Sequence, residues 1–130
     1  MLRQYDAYLF DLDGTLVDTA PDLGQALNAS LRNAGFPGVT TDQARQWIGF
    51  GARYSLSQAI EHHQLVLTTS ATDELLEEFL NFYAGHVADA STPYDSVIDT
   101  LDALHDADAK LAVVTNKPAR FTLPLLSALS

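Results

Sequence analysis

Tyr8-Leu9-Phe10-Asp11-Leu12-Asp13-Gly14-Thr15-Leu16-Val17-Asp18 is an apolar run that stops abruptly at two carboxylates and a glycine. The pattern predicts a strand that delivers a reaction centre. Period-two geometry sets Asp11 and Asp13 on one side of an extended backbone and Leu12 on the other, so two acids are aimed at one point. Such a pair repels. A proton on one carboxyl relieves the repulsion, as does a hard cation such as Mg2+, which prefers oxygen ligands. The stretch therefore predicts a metal and a proton donor together.

Downstream, Thr19-Ala20-Pro21-Asp22 reads as a helix start, with a capping oxygen, proline in the first turn and an acid near the positive end of the dipole. Leu23, Ala26, Leu27, Ser30, Leu31 and Ala34 recur at helical spacing until Gly35 and Pro37-Gly38 close the segment. A second start at Thr40-Thr41-Asp42-Gln43 places Ala44, Trp47 and Ile48 on an inner face that ends at Gly49-Phe50-Gly51. A third, shorter helix carries Leu56, Ala59 and Ile60. His63 to Thr72 reads as a connector. Beyond it, the stripe from Leu75 through Phe79 and Tyr83 to Val87 predicts a long amphipathic helix. After a loop at Ala90 to Asp95, Val97, Ile98, Leu101 and Leu104 line another helix. Leu111-Ala112-Val113-Val114-Thr115 is a continuous, β-branched run, as expected of a buried parallel strand. Asn116-Lys117-Pro118 breaks it, and Thr122 to Leu129 predicts a brief last helix with its proline near the start.

The order strand, helical block, helix, strand, helix predicts an α/β fold, a partial Rossmann-like parallel-sheet core with an inserted α-helical cap. Residues 1–18 and 91–130 form the core in this reading, and residues 19–90 form the cap.

Composition narrows the function. With 17 acidic against 7 basic residues, the formal charge is −10, which argues against a nucleic-acid or anionic-membrane surface and favours a small, locally recognised ligand. The absence of cysteine excludes disulfides and thiolate metal sites and suits a reducing cytoplasm. The first residues, Met1 to Asp6, precede an apolar run too short for an export signal or a membrane span.

Ligands of open parallel sheets bind beyond the carboxyl ends of the strands, which draws Asp11, Asp13, Thr115 and Asn116 toward one cleft. Here Asp11-Leu12-Asp13-Gly14-Thr15 resembles the first motif of the haloacid-dehalogenase-like phosphohydrolases, and Val114-Thr115-Asn116 resembles their second. Val17-Asp18-Thr19-Ala20-Pro21-Asp22-Leu23, Ile48-Gly49-Phe50-Gly51-Ala52 and Thr115-Asn116-Lys117-Pro118 are similar to the phosphoglycolate phosphatase subgroup. The resemblance implies that Asp11 attacks phosphorus to form an aspartyl-phosphate while Asp13 protonates the leaving oxygen and later activates water. It also implies Mg2+ held by the Asp11 carboxylate and the Asp13 backbone carbonyl, which neutralises charge as an anion approaches a phosphoester. Gly14 and Thr15 in the first loop, and Thr115 and Asn116 in the second, would bind the phosphate. An acid two residues after the nucleophile favours phosphoryl transfer over halide displacement, because a halide needs no proton to leave.

Other residues keep two readings. Gly49-Phe50-Gly51 reads as a loop closing over substrate, with Arg53 pairing a carboxylate, or as a plain interhelical turn with a solvated arginine. Lys117 reads as a phosphate contact or as a surface lysine. Asp18 reads as a helix-entry residue. His62, His63, His86 and His105 lack metal-ligand spacing, and Trp47 with the aromatic stripe reads as core. An EF-hand is rejected, since Leu16 stands where its glycine belongs.

A third motif with a phosphate-binding lysine and a fourth with an acidic pair should follow in this family, and neither does. No Asp or Glu follows Asn116. The expectation is a truncated chain of weak or absent turnover, marginally stable or self-associating through exposed sheet edges. Its substrate is a small phosphomonoester. Rival readings are a sugar-phosphate mutase or another phosphatase of the same fold, or a non-catalytic module that binds Mg2+ or phosphate.

Overall fold

The computed structural model describes residues 5–129, so the reading of the chain's first residues lies partly outside it. Ten elements follow in order: β1 (Ala7–Phe10), β2 (Val17–Asp18), α1 (Ala20–Asn33), α2 (Thr41–Gln46), α3 (Ala52–His62), α4 (Thr69–Ala84), β3 (Thr92–Pro93), α5 (Val97–Asp106), β4 (Lys110–Val113) and α6 (Ala119–Leu129). β1 and β4 pair in parallel from Ala7 opposite Lys110 to Phe10 opposite Val113. The amide of Val114 extends the ladder by donating to the carbonyl of Phe10 at 2.7 Å. The mixed α/β architecture with a parallel sheet is the one expected from the sequence.

Between these strands runs the helical block. α1 packs against α4 and α2, and α3 against α4. The periodic apolar residues meet here: Leu27, Leu31, Leu56 and Phe79 are essentially inaccessible, each burial contributing about 1.5–3 kcal/mol. Phe121 and Leu125 of α6 join the same cluster. The core of the described chain thus lies among helices. It does not lie on the sheet.

That placement corrects one expectation. The apolar run of β4 predicts a buried strand, yet every residue from Lys110 to Val113 is exposed, and Leu9 of β1 is 71% exposed. α5 buries no residue completely. Two strands cannot cover their own faces, and α5 contacts only part of one.

Smaller departures have local causes. The acidic loop is not extended beyond Phe10. The amides of Thr15, Leu16 and Val17 all turn back to the carbonyl of Leu12, and Gly14 donates to Val17. Gly14 takes φ +79°, a conformation that favours glycine. The return of the chain creates a short antiparallel ribbon that periodicity did not signal, pairing Val17 with Pro93 and Asp18 with Thr92. Both connections of the helical block run through it. Thr19 caps α1 by position alone, since its hydroxyl makes no capping bond and is buried without a partner. α2 stops at Gln46, leaving Trp47 and Ile48 in the turn, while α3 is the longer of the two. Gly51, at φ +92° and ψ +163°, starts α3 in a region open essentially to glycine alone. α6 starts earlier than expected and carries Pro124 inside it.

Candidate active site

Parallel pairing of β1 with β4 brings their two following loops side by side, because parallel strands end at the same edge. The first loop presents Asp11 and Asp13, the second Thr115, Asn116 and Lys117. Across from them stand the α2–α3 turn and α4. A cleft of about 200 Å3 opens between these parts, with Asp13, Asn116 and Lys117 on one wall and Ile48, Arg53 and Tyr83 on the other.

The central contact is an ion pair that joins the two loops. Lys117 Nζ donates to Asp13 Oδ1 at 2.8 Å, with the lysine side chain 4% and the aspartate 12% exposed. The same ammonium donates to the hydroxyl of Tyr83 on α4. The reading of Lys117 as a surface lysine is therefore excluded by its burial. Desolvation pushes its pKa below the ordinary lysine value, against the attraction of Asp13 and, more weakly, Asp22. Burial raises the Tyr83 phenol far above its ordinary value, and the negative charges of Asp13 and Asp22 add to the shift. Tyr83 stays a neutral hydroxyl under any ordinary condition.

The remaining residues are distributed unequally. Asp11 is exposed and outside the cleft lining, its Oδ1 accepting from the amide of Leu12 at 2.8 Å. Gly14 and Thr15 also lie outside it, and Thr15 lines a separate depression with Phe10 and Ser96. The Thr115 hydroxyl accepts from the Lys117 amide at 3.1 Å, which shapes the loop, and Asn116 Nδ2 donates to the carbonyl of Gly49 at 3.1 Å. Asn116 thus ties the second loop to the helical block. Arg53 lines the cleft but pairs with Asp73 at 3.1 Å in an exposed contact, worth about 0–1 kcal/mol and easily exchanged. Tyr83 was read from sequence only as core. Its stripe position explains the burial, but nothing in the spacing announces the hydroxyl's partner.

No group of three acidic, histidine or cysteine side chains is gathered for a metal among the described residues. The donor set nevertheless suits Mg2+, which commonly takes one or two carboxylates and completes its shell with water and phosphate oxygens. The Asp11 carboxylate is exposed and free of any cation partner in the described contacts.

Two parallel strands whose carboxyl ends share an acid–lysine cleft beneath a helical block define an α/β protein with a strand-end cleft. The model of the haloacid dehalogenase-like hydrolases matches residues 8–130, and the chain belongs to that family. It is 42% identical to phosphoglycolate phosphatase of Agrobacterium fabrum over 93% of this chain and 52% of that protein. Identity to phosphoglycolate phosphatase of Caulobacter vibrioides is 40%, over 93% and 51%. A crystal structure described as a predicted phosphoglycolate phosphatase from Haemophilus somnus superposes with a TM-score of 0.86 at 31% identity, over 100% of this chain and 60% of that one. The chain spans about half the length of the curated relatives it matches. No helix among the described residues is long and apolar enough to cross a membrane.

Proposed function

We propose that this chain carries the nucleophile loop and the substrate cleft of a phosphomonoesterase acting on a small, phosphoglycolate-like substrate in the cytoplasm. The supporting observation is the 2.8 Å pair between Lys117 and Asp13, which unites the loops after β1 and β4 at one end of the sheet. Residues 1–18 and 91–130 act as the core, and residues 19–90 as a cap whose connections meet in the β2–β3 ribbon.

In the proposed reaction a carboxylate oxygen of Asp11 bonds to phosphorus as the ester P–O bond breaks. Asp13, a carboxylate in its pair with Lys117, takes up a proton from solvent on its other oxygen and gives it to the leaving oxygen, then takes one from the water that attacks the aspartyl-phosphate, and inorganic phosphate departs. Mg2+, held by the Asp11 carboxylate and the Asp13 carbonyl, would neutralise the developing charge. The phosphate would lie at the edge of the cleft toward Asp11, with Asn116 and Lys117 binding it from the cleft lining, Gly14, Thr15 and Thr115 from the loops outside that lining, and Arg53 exchanging Asp73 for the substrate's carboxylate. The cleft's small volume suits a substrate of a few carbons.

Asp11 is the only cation ligand with an exposed carboxylate in this loop pair, and no third acid joins it among the described residues. That observation favours weak turnover by these residues alone, with phosphate binding as the activity that survives. The test is Mg2+-dependent hydrolysis of p-nitrophenyl phosphate beside phosphate binding by calorimetry. Binding with little turnover supports the reading. Robust hydrolysis abolished by Asp11→Asn would contradict the weak-turnover part and keep the chemistry, and neither binding nor hydrolysis would sink both.

A further inference from the structure

We propose that Tyr83 is a positioning residue for the phosphate end of the cleft: its hydroxyl, presented by α4, holds the Lys117 ammonium between itself and Asp13 so that the third N–H stays available to a phosphoryl oxygen. The proposal rests on the phosphatase reading above and adds a residue from the helical block to its site.

An ammonium has three donors and no acceptor. Two are spent, one on Asp13 Oδ1 and one on the Tyr83 hydroxyl. Lys117 is nearly inaccessible yet lines the cleft, as do both partners. A buried ammonium with only a carboxylate beside it would settle into a closed pair. A neutral hydroxyl on the other side shares it and fixes its direction.

Tyr83 is itself held firmly. The residue is 1% exposed, and its ring packs against that of Phe121 with centroids 5.2 Å apart. The Lys117 nitrogen lies 4.7 Å from the Tyr83 ring centroid, at the hydroxyl end of the ring, so it is the hydroxyl that meets the cation. Tyr83 sits in the last turns of α4, and α4 also packs on α1 and α3. The docking of α4 thereby reaches Asp13 through the Lys117 ammonium. An ordinary core position would be served equally by phenylalanine, so the hydroxyl is what the proposal concerns.

The experiment is a double-mutant cycle on the 130-residue chain with inorganic phosphate as the probe, using Tyr83→Phe, Lys117→Met and the pair, with calorimetric Kd and thermal midpoint measured for each. Tyr83→Phe should weaken phosphate binding about tenfold, the scale of one hydrogen bond to a charged group, while the fold persists. In the Lys117→Met background the same change should weaken binding no further, because Tyr83 acts through the lysine. A merely structural tyrosine would weaken both backgrounds alike, and that result overturns the proposal. So does unchanged binding in Tyr83→Phe. Should Tyr83→Phe unfold, a fluorinated tyrosine placed at position 83, which keeps the ring and weakens the hydroxyl as an acceptor, serves instead: weaker phosphate binding supports the proposal and an unchanged Kd overturns it. A parent chain that binds no phosphate removes the phosphatase reading itself, a different outcome from a parent that binds and a variant that binds equally.

Discussion

Asp22 Oδ2 accepts hydrogen bonds from the amide and the hydroxyl of Ser91 at 2.7 and 2.6 Å, across 69 residues of chain. Both carboxylate oxygens also accept from the amide of Ala90 at 3.0 Å. Asp22 lies in the first turn of α1 and Ser91 precedes β3, so this buried contact joins the chain's entry into the helical block to its exit.

Removing that acceptor is expected to be costly. Asp22→Ala leaves two amides and a hydroxyl unsatisfied in a buried setting, and should lower unfolding stability by about 3 kcal/mol. Urea denaturation measures it. A loss below about 1 kcal/mol would mean that water replaces the carboxylate.

Alkaline pH separates Lys117 from Tyr83. The folded pKa of Lys117 lies below its ordinary 10.5, so between the two values the unfolded chain holds more protons and stability rises with pH. The folded pKa of Tyr83 lies above its ordinary 10.0, so above that pH the unfolded chain loses its proton first and stability falls. Relative to the parent, Lys117→Met should lack the rise and Tyr83→Phe should lack the fall. Thermal midpoints across the alkaline range check both, and identical profiles would refute the assignment.

The buried ion pair is expected to serve binding at the expense of stability. Desolvation dominates the Lys117 shift, so the pair does not recover what burying the ammonium costs. The double variant Asp13→Asn/Lys117→Met should equal or exceed the parent in stability, by up to about 1 kcal/mol. It should bind phosphate more weakly than the parent. Chemical denaturation and calorimetry on the same samples give both readings.

The uncovered sheet is expected to associate. Leu9 and Val114 expose 71% and 59% of their surfaces on the face they share with Ala112, a patch that an isolated two-stranded sheet cannot hide. Sedimentation at micromolar concentration should show self-association that Leu9→Lys reduces. A monodisperse parent with cooperative unfolding would sink this expectation.

Much of the chain was legible before its structure. The four helices between Ala20 and Ala84 follow from local rules, because periodicity, caps and strand breaks act over a few residues, while the parallel relation of the two long strands and the approach of their following loops follow from the order of elements. Burial was less legible. Val113 and Val114 have the composition of a core strand, but only their neighbours decide whether they are covered.

The sequence by itself determined the residue types of the site: two carboxylates two apart, a glycine at the turn, and a Thr-Asn-Lys break after the second apolar run. Tertiary structure alone decided their partners. It set Asp11 outside the cleft, tied Asp22 to Ser91, and brought Tyr83 from 34 residues away in the chain onto Lys117. The physical reason is one of range. Backbone preferences and hydrophobic spacing are encoded between near neighbours, whereas a buried ammonium takes whichever oxygens the packed helices bring to it.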